Sequence, residues 1–172
     1  MGREPRVIGI FKRSKSQRIA RLSIFSTLCV IGSFIHPPSP IQTIAFDSAP
    51  GFFAALYFGS YDGALICGIG HLITSLINGF PLGWLHIPIA LGMAVAGGAM
   101  GVVNRVNSKW GFIPATLVGI AINTALFPLA APLFGWVAAL TLVAPFLLLA
   151  ATLNGIIAAL GYVGMRGKFW IK

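Results

Sequence analysis

Residues 136–165 read WVAALTLVAPFLLLAATLNGIIAALGYVGM, a run of thirty residues without a charged side chain. A helix needs about 20 apolar residues to cross the hydrocarbon core of a bilayer, so this run suffices for one crossing, and Pro145 within it predicts a kink. The rest of the chain is similar: 57% of its 172 residues are hydrophobic and 9% are charged, whereas soluble domains carry about 25% charged residues. The composition predicts a small polytopic membrane protein and excludes an ordinary water-soluble enzyme.

Apolar runs separated by proline, glycine and asparagine divide the chain into six predicted helices. These helices are Ile19–Ile35, Ala49–Phe58, Ala64–Ile77, Leu85–Val103, Phe112–Ala130 and Trp136–Met165. The sequence therefore predicts an all-α membrane domain over residues 19–165. A basic segment, 1–18, precedes it and a basic tail, 166–172, follows it.

The twelve Lys and Arg residues test this number of helices. Seven precede or open the first helix, two lie in the 104–110 loop and three follow the sixth helix. Basic residues in short loops stay on the cytoplasmic side, where anionic lipid headgroups attract them. Six crossings from a cytoplasmic N-terminus place all twelve inside, whereas five or seven would place the last three outside. The charges predict six spans with both termini cytoplasmic, in a bacterial plasma membrane, and they are not expected to bind nucleic acid.

Catalytic and metal-binding chemistry has little support in the sequence. The chain has three acidic residues, Glu4, Asp47 and Asp62, and lacks the G-x-S-x-G, H-E-x-x-H and P-loop motifs. Its three histidines do not have the short spacing of a preformed metal site. Cys29 and Cys67 lie inside apolar runs and are interpreted as small packing residues. We expect no catalytic residue, cofactor or metal.

Polar side chains that interrupt apolar runs or flank the outer loops are the candidates for substrate contact. They are Asp47, His71, Asn78, Trp84, His86, Asn123 and Asn154. Four of them have a structural alternative: Asp47, or Ser48 beside it, suits a helix N-cap before Pro50, His71 could hydrogen-bond a neighbouring helix, and the amides of Asn123 and Asn154 could bridge helices. The sequence leaves these alternatives open.

Aromatic side chains near the outer loops offer a second kind of contact. Phe46, Phe52, Phe80 and Trp84 cluster there in the sequence, and a planar ligand could stack on such rings.

The first helix has a face of small residues that includes Ser23 and Thr27. Small residues let membrane helices approach closely. This face therefore predicts contact either with another helix of the same chain or with a separate membrane subunit.

Three short blocks of sequence resemble a known family. Residues 46–59 read FDSAPGFFAALYFG, residues 62–64 read DGA and residues 68–72 read GIGHL. In these blocks the chain resembles the substrate-binding S components of energy-coupling-factor (ECF) vitamin transporters. The resemblance implies a site that faces outward, lined by the first loop and the later helices. It also implies docking of the first helix onto a transmembrane scaffold with ATPase subunits, and Ser23 and Thr27 stand where the family often has alanines.

Within that family, one further block is informative about the substrate. Residues 71–83, HLITSLINGFPLG, followed by His86, are most similar to transporters of alpha-ribazole, the nucleoside precursor of the lower ligand of cobalamin. The predicted outer side has no Lys or Arg to clamp a carboxylate, which favours a neutral, hydroxyl-bearing ligand. The hypothesis is a subunit that imports alpha-ribazole. The alternatives are another neutral vitamin or precursor, a structural membrane protein and, last, an intramembrane enzyme.

Overall fold

A computed structural model describes residues 15–35 and 44–166, and every regular element within these ranges is helical. Three predicted features lie outside the described residues: most of the basic N-terminal segment (1–14), the proline-rich loop (36–43) and the tail from residue 167 onward. The predicted domain boundaries remain predictions.

The described residues contain six helices of nine residues or more. They are α1 Lys15–Ser33, α2 Ala49–Tyr57, α3 Ser60–Ile77, α4 His86–Asn104, α5 Phe112–Thr124 and α6 Ala144–Met165. They follow the order of the predicted apolar runs, and the described chain is therefore an all-α bundle.

The helix ends differ from the predicted ones most clearly at four places. Helix α1 begins at Lys15, before the predicted Ile19, and α3 begins at Ser60, so that the turn predicted for residues 59–63 is reduced to Gly59 with a φ of 108°. Helix α5 ends at Thr124 instead of continuing to residue 130, and α6 begins at Ala144 instead of Trp136. The added first turns of α1 and α3 contact each other through an ion pair between Arg18 and Asp62.

Four stretches are long and apolar enough to cross a membrane, judged by length and composition: Ser60–Ile77, Gly83–Asn104, Phe112–Phe134 and Trp136–Met165. Helix α1 is less apolar because Lys15, Arg18 and Arg21 lie in its first turns. Helix α2 has nine residues, which extend about 14 Å at 1.5 Å per residue, roughly half of a 30 Å hydrocarbon core. Length and apolarity thus single out the last four of the six predicted spans.

The connection between α5 and α6 is built from short pieces. A 3₁₀ turn at Phe127–Ala130 and a helical turn at Ala131–Phe134 lead to Gly135, which has a φ of 79°. A wide π-helical turn, Ala139–Val143, then leads into α6, whose second residue is Pro145. Proline has no N–H with which to continue the hydrogen bonds of an α-helix. The irregularity predicted at Pro145 is observed as this π-helical turn.

Helices α3 and α4 approach each other through glycine. A Cβ added at Gly97 would lie 2.5 Å from the carbonyl oxygen of Gly63 and 2.8 Å from Cys67 Sγ, and one at Gly101 would clash with the backbone of Ser60. Without a Cβ at these positions the two backbones can touch, which is how helices associate where lipid removes the hydrophobic drive. Cys67 is buried in this contact, in the packing role expected for it.

Apart from Asp47, the charged side chains of the described residues lie at one end of the bundle, which we call the charged end. They are Lys15, Arg18, Arg21, Asp62, Arg105, Lys109 and Arg166. Arg18 Nε lies 3.2 Å and Arg21 Nη2 3.5 Å from the Asp62 carboxylate, and Arg166 donates to the carbonyl of Lys109 at 2.9 Å. These contacts join the start of α1 to the start of α3, and the end of α6 to the loop before α5.

A pair of substitutions on α4 tests the glycine contact. Gly101→Ala places a methyl group against the backbone of Ser60 and should destabilise the protein by about 1–3 kcal/mol, as overpacking does. Gly98→Ala is the matched control, because its methyl group would meet only Ala64 Cβ at 3.6 Å. Thermal unfolding in detergent should show a lower midpoint for Gly101→Ala alone. Equal midpoints for the two variants would contradict the close approach.

Candidate functional site

A cavity lies at the end of the bundle opposite the charged end, between residues 44–48, α3, α4, α5 and α6. The cavity has a volume of about 60 Å³, which is enough for several water molecules. Much of its wall is apolar: Ile44, Leu82, Ile89, Met93, Leu126, Phe127, Val143 and Leu147. Five polar side chains also line it: Asp47, Ser48, His71, Asn123 and Asn154. Four of these five were predicted from sequence as substrate-contact residues.

Asn154, in the middle of α6, forms hydrogen bonds that hold one side of the cavity in place. Its Nδ2 donates to the carbonyl oxygens of Ala45 at 3.0 Å and Ala150 at 2.8 Å, and its Oδ1 accepts the N–H of Ala49 at 2.8 Å. The side chain is 1% exposed. The amide therefore bridges α6 to the segment that carries Asp47, as the structural alternative for Asn154 proposed.

The start of α2 is capped differently from the sequence expectation. Neither Asp47 nor Ser48 caps the helix with its side chain, and Ser48 Oγ instead donates to Asp47 Oδ1 at 3.0 Å. The first N–H of the helix, that of Ala49, is bound by Asn154 from 105 residues away. Ser48 thus occupies the predicted N-cap position, but the predicted side-chain capping bond is wrong. Because a distant amide takes over that bond, the Asp47 carboxylate is not committed to the helix N-terminus.

Asp47 is a buried carboxyl group in the segment before α2, outside the four apolar membrane-capable stretches. Its side chain is 6% exposed, and burial raises its pKa from 3.8 to about 7, although the Ser48 hydrogen bond opposes this shift. Desolvation disfavours the charged form, so both protonation states are populated near neutral pH. Asp47 can therefore accept hydrogen bonds from hydroxyl groups and, when protonated, donate one.

Asn123 on α5 also lines the cavity. The residue is 6% exposed, and its side chain has no hydrogen bond to any residue in the described ranges. Of the polar side chains of the wall, it is the one that no described residue engages, so its amide can donate and accept hydrogen bonds in the cavity.

Two predicted histidines lie side by side, but only one lines the cavity. His71 on α3 contributes to the wall, whereas His86 at the start of α4 is fully buried behind it. His71 Nε2 and His86 Nδ1 are 3.2 Å apart, and His86 Nε2 accepts the N–H of Leu82 at 3.2 Å. The structure therefore places His86 behind His71 and Leu82, both of which line the cavity.

Two further predicted residues lie away from the cavity wall. Asn78 ends α3, where its Nδ2 donates to the carbonyl of Thr74 at 2.9 Å. Trp84 is 73% exposed in the turn before α4. Both neighbour the site in sequence without lining it.

Among the aromatic residues, Phe127 lines the cavity and the predicted ones do not. Phe52 is fully buried in the core, and the Phe80 ring packs edge-on against His86 with centroids 5.4 Å apart. Sequence reasoning also missed Ser48. The Phe127-Pro128 pair at the break after α5 was a possible signal for Phe127, whereas Ser48 had been considered only as a cap.

The charges around the cavity limit its ligands. No Lys or Arg of the described residues lines it, and within the described ranges no group of three His, Cys, Asp or Glu side chains could hold a metal ion. The available chemistry is one carboxyl group, one hydroxyl, two amides and one imidazole within an apolar wall.

The small-residue face of α1 divides into an inner and an outer part. Ser26, Cys29 and Ser33 are buried against the bundle, whereas Ser23 and Thr27 are exposed and linked by a hydrogen bond from Thr27 Oγ1 to the Ser23 carbonyl at 2.9 Å. Ser23 and Thr27 thus lie on the face that points away from the other helices.

Titration of Asp47 gives a testable pH dependence. The folded protein keeps the proton of Asp47 up to about pH 7, whereas the unfolded chain loses it near pH 3.8, so the contribution of Asp47 to stability falls as pH rises through this window. Between pH 5 and pH 7 the free energy of unfolding should therefore fall by about 2 kcal/mol relative to that of Asp47→Asn, which lacks this group. The histidines affect both proteins alike, so the difference between the two isolates Asp47. Thermal unfolding in detergent should show the same difference between the control Asp62→Asn and Asp47→Asn, and an identical pH dependence of Asp47→Asn and the unmodified protein would refute the shifted pKa.

Comparisons with known proteins agree with this architecture. A family described as "ECF transporter, substrate-specific component" matches residues 17–166. A solved structure of the S component of a bacterial ECF transporter superimposes with a TM-score of 0.61 and 18% sequence identity, over 90% of this chain and 98% of that one. At that identity the likeness concerns the fold. A comparison with curated proteins gives no match. The chain belongs to the family of ECF transporter substrate-specific components, multi-pass cell-membrane proteins that bind substrate as one subunit of a transporter.

Proposed function

We propose that this chain binds alpha-ribazole at the outer side of the membrane and delivers it inward as the S component of an ECF transporter. The observation that carries the proposal is the cavity in which the carboxyl group of Asp47 and the amide of Asn123, which no described residue bonds, lie within an apolar wall. Alpha-ribazole joins an apolar benzimidazole base to a ribose that carries hydroxyl groups. The base suits the apolar wall, and the hydroxyls suit Asp47 and Asn123.

The charge of the cavity supports a neutral ligand over an anionic one. A carboxylate or phosphate ligand calls for a Lys, an Arg or a cluster of backbone N–H groups, and no described Lys or Arg lines the cavity. An anion would instead meet Asp47. The main alternative is therefore another neutral vitamin or vitamin precursor.

A purely structural membrane protein is the second alternative, and Asn123 argues against it. Among the polar side chains of the wall, Asn123 is the one that no described residue bonds, so it has no structural task within the described ranges. A ligand with hydroxyl or ring-nitrogen groups would satisfy this amide.

The proposal includes six crossings with both termini cytoplasmic. The charged end gathers every described Lys and Arg, as the positive-inside rule requires of a cytoplasmic face. Helix α2 is short, and we assign it the second crossing, which leaves Asp47 in the segment before that crossing. The cavity then faces outward, because it lies at the opposite end from the charges.

Inward delivery requires an energy source, and we assign it to a scaffold and ATPase subunits that dock on α1. The exposed Ser23 and Thr27 form a small-residue surface directed away from the bundle. Such a surface lets another membrane helix approach closely.

Binding of radiolabelled alpha-ribazole to the purified protein tests the substrate. Asp47→Ala should weaken binding at least tenfold, because it removes the acceptor for the ribose hydroxyls and a lost buried hydrogen bond costs more than 1 kcal/mol. Asp62→Asn is the matched control at the charged end and should bind as the unmodified protein does. Undiminished binding by Asp47→Ala would disprove the site, and no binding by the unmodified protein would disprove the substrate.

Uptake measurements test the docking surface. Ser23→Trp and Thr27→Trp should reduce uptake strongly and leave binding unchanged, because a bulky ring prevents close helix contact. Leu160→Trp, at an outward-facing position of α6 that is 68% exposed, is the control and should preserve both. Uptake that continues in cells without scaffold and ATPase subunits would contradict the partner assignment.

A further inference from the structure

Behind the cavity wall, Ser75, His71 and His86 form a compact hydrogen-bonded group. Ser75 Oγ lies 2.7 Å from the carbonyl oxygen of His71, 2.9 Å from His86 Nδ1 and 3.3 Å from His71 Nε2. His71 Nε2 and His86 Nδ1 are 3.2 Å apart. The fourth member is the N–H of Leu82, 3.2 Å from His86 Nε2.

The directions of these hydrogen bonds follow from one group that can only donate and one group that can only accept. The Leu82 N–H can only donate, so His86 Nε2 must be an unprotonated acceptor, which makes the ring neutral with its proton on Nδ1. The His71 carbonyl can only accept, so the single hydroxyl proton of Ser75 is donated to it. The His86 Nδ1–H then points at Ser75 Oγ, 2.9 Å away, and at His71 Nε2, 3.2 Å away.

This arrangement determines the state of His71. A proton on His71 Nε2 would face the proton of His86 Nδ1 across 3.2 Å, and two donors repel each other at this distance. His71 Nε2 is therefore the acceptor, and the neutral His71 ring carries its proton on Nδ1. No described residue is bonded to His71 Nδ1, and the ring lines the cavity.

We propose that His86 and Ser75 are positioning residues that hold His71 as the Nδ1–H tautomer, so that His71 donates a hydrogen bond to a ring nitrogen of the bound ligand. The inference rests on the proposed function and adds a recognition rule to it. His71 provides a donor, the ionised Asp47 provides an acceptor, and the Asn123 amide provides both. The site then selects a molecule that has an unprotonated ring nitrogen at one end and hydroxyl groups at the other.

The geometry favours the aromatic base of a nucleoside as the partner of His71. The unsubstituted nitrogen of a benzimidazole base is an in-plane acceptor, and its carbon framework is apolar like the surrounding wall. A sugar alone would have hydroxyls for Asp47 but no ring nitrogen for His71. His71 thus discriminates among bases, while Asp47 and Asn123 recognise the sugar.

The tautomer can be measured without any ligand. The chain has three histidines, so ¹⁵N NMR of histidine-labelled protein in detergent gives few signals, and the variants His36→Gln, His71→Gln and His86→Gln assign them. Protonated and unprotonated ring nitrogens differ widely in ¹⁵N chemical shift. Both His71 and His86 should carry their proton on Nδ1 at pH 7. A proton on Nε2 of either ring, or a doubly protonated ring, would overturn the proposed arrangement.

An analogue in which the unsubstituted ring nitrogen of alpha-ribazole is replaced by C–H tests recognition. The unmodified protein should bind alpha-ribazole about tenfold more tightly than this indole nucleoside, the loss expected when a buried donor is left unpaired. His71→Leu should bind both compounds equally. His71→Asn should recover part of the preference, because its amide nitrogen can replace Nδ1. Equal preference in His71→Leu and the unmodified protein would overturn the assignment of His71.

Ser75→Ala separates positioning from a general structural role. It removes the acceptor next to His86 and should reduce the preference for alpha-ribazole over the analogue, while binding of the analogue itself stays unchanged. A parallel loss for both compounds would show that Ser75 supports only the fold, and would overturn its positioning role. If the unmodified protein binds neither compound, the proposed substrate fails, and the NMR measurement still decides the arrangement of the histidines.

Discussion

The site depends on one side chain, Asn154, whose amide bonds three backbone groups in a fully buried position. Two of these groups belong to residues 45 and 49, which flank Asp47, so a single residue on α6 fixes the carboxyl group at the cavity. Without Asn154 the N–H of Ala49 and the carbonyl of Ala45 would be buried and unpaired, each at a cost of about 1–3 kcal/mol. The cap of α2, the burial of Asp47 and the position of this part of the cavity wall all depend on the hydrogen bonds of Asn154.

The two ends of the bundle are stabilised by different physical interactions. At the charged end, Arg18 and Arg21 surround Asp62 and lie against Tyr61 and Phe58, with guanidinium carbons 4.3 and 4.9 Å from the ring centroids. At the cavity end, neutral amide, hydroxyl and imidazole groups replace ion pairs. Close glycine contacts between α3 and α4 join the two ends. A site for a neutral ligand is thus kept apart from the basic residues of the same chain.

The sequence predicted the order of the helices and four polar residues of the site, because apolar runs and the polar residues that interrupt them are local signals. The contacts that organise the site are not local. Asn154 lies 105 residues from Ala49, so a sequence pattern suggested a cap from Ser48 and could not reveal the true one. His86 looked like a residue that faces the ligand, and its place behind His71 follows from the turn that brings Leu82 over its ring. The early start of α1 likewise brings Arg18 to Asp62, which is 44 residues away in the sequence.

The mixed wall of the cavity has a consequence for a protein surrounded by lipid. An acyl chain could fill the apolar part of the cavity, where Ile89, Met93 and Leu147 lie, and the bilayer supplies such chains in large excess. An acyl chain has no hydrogen-bonding groups. Its insertion would surround Asp47 and Asn123 with hydrocarbon, where polar groups without hydrogen-bond partners are energetically unfavourable. Asp47 and Asn123 therefore disfavour the binding of an acyl chain, the most abundant hydrophobic competitor, in the cavity.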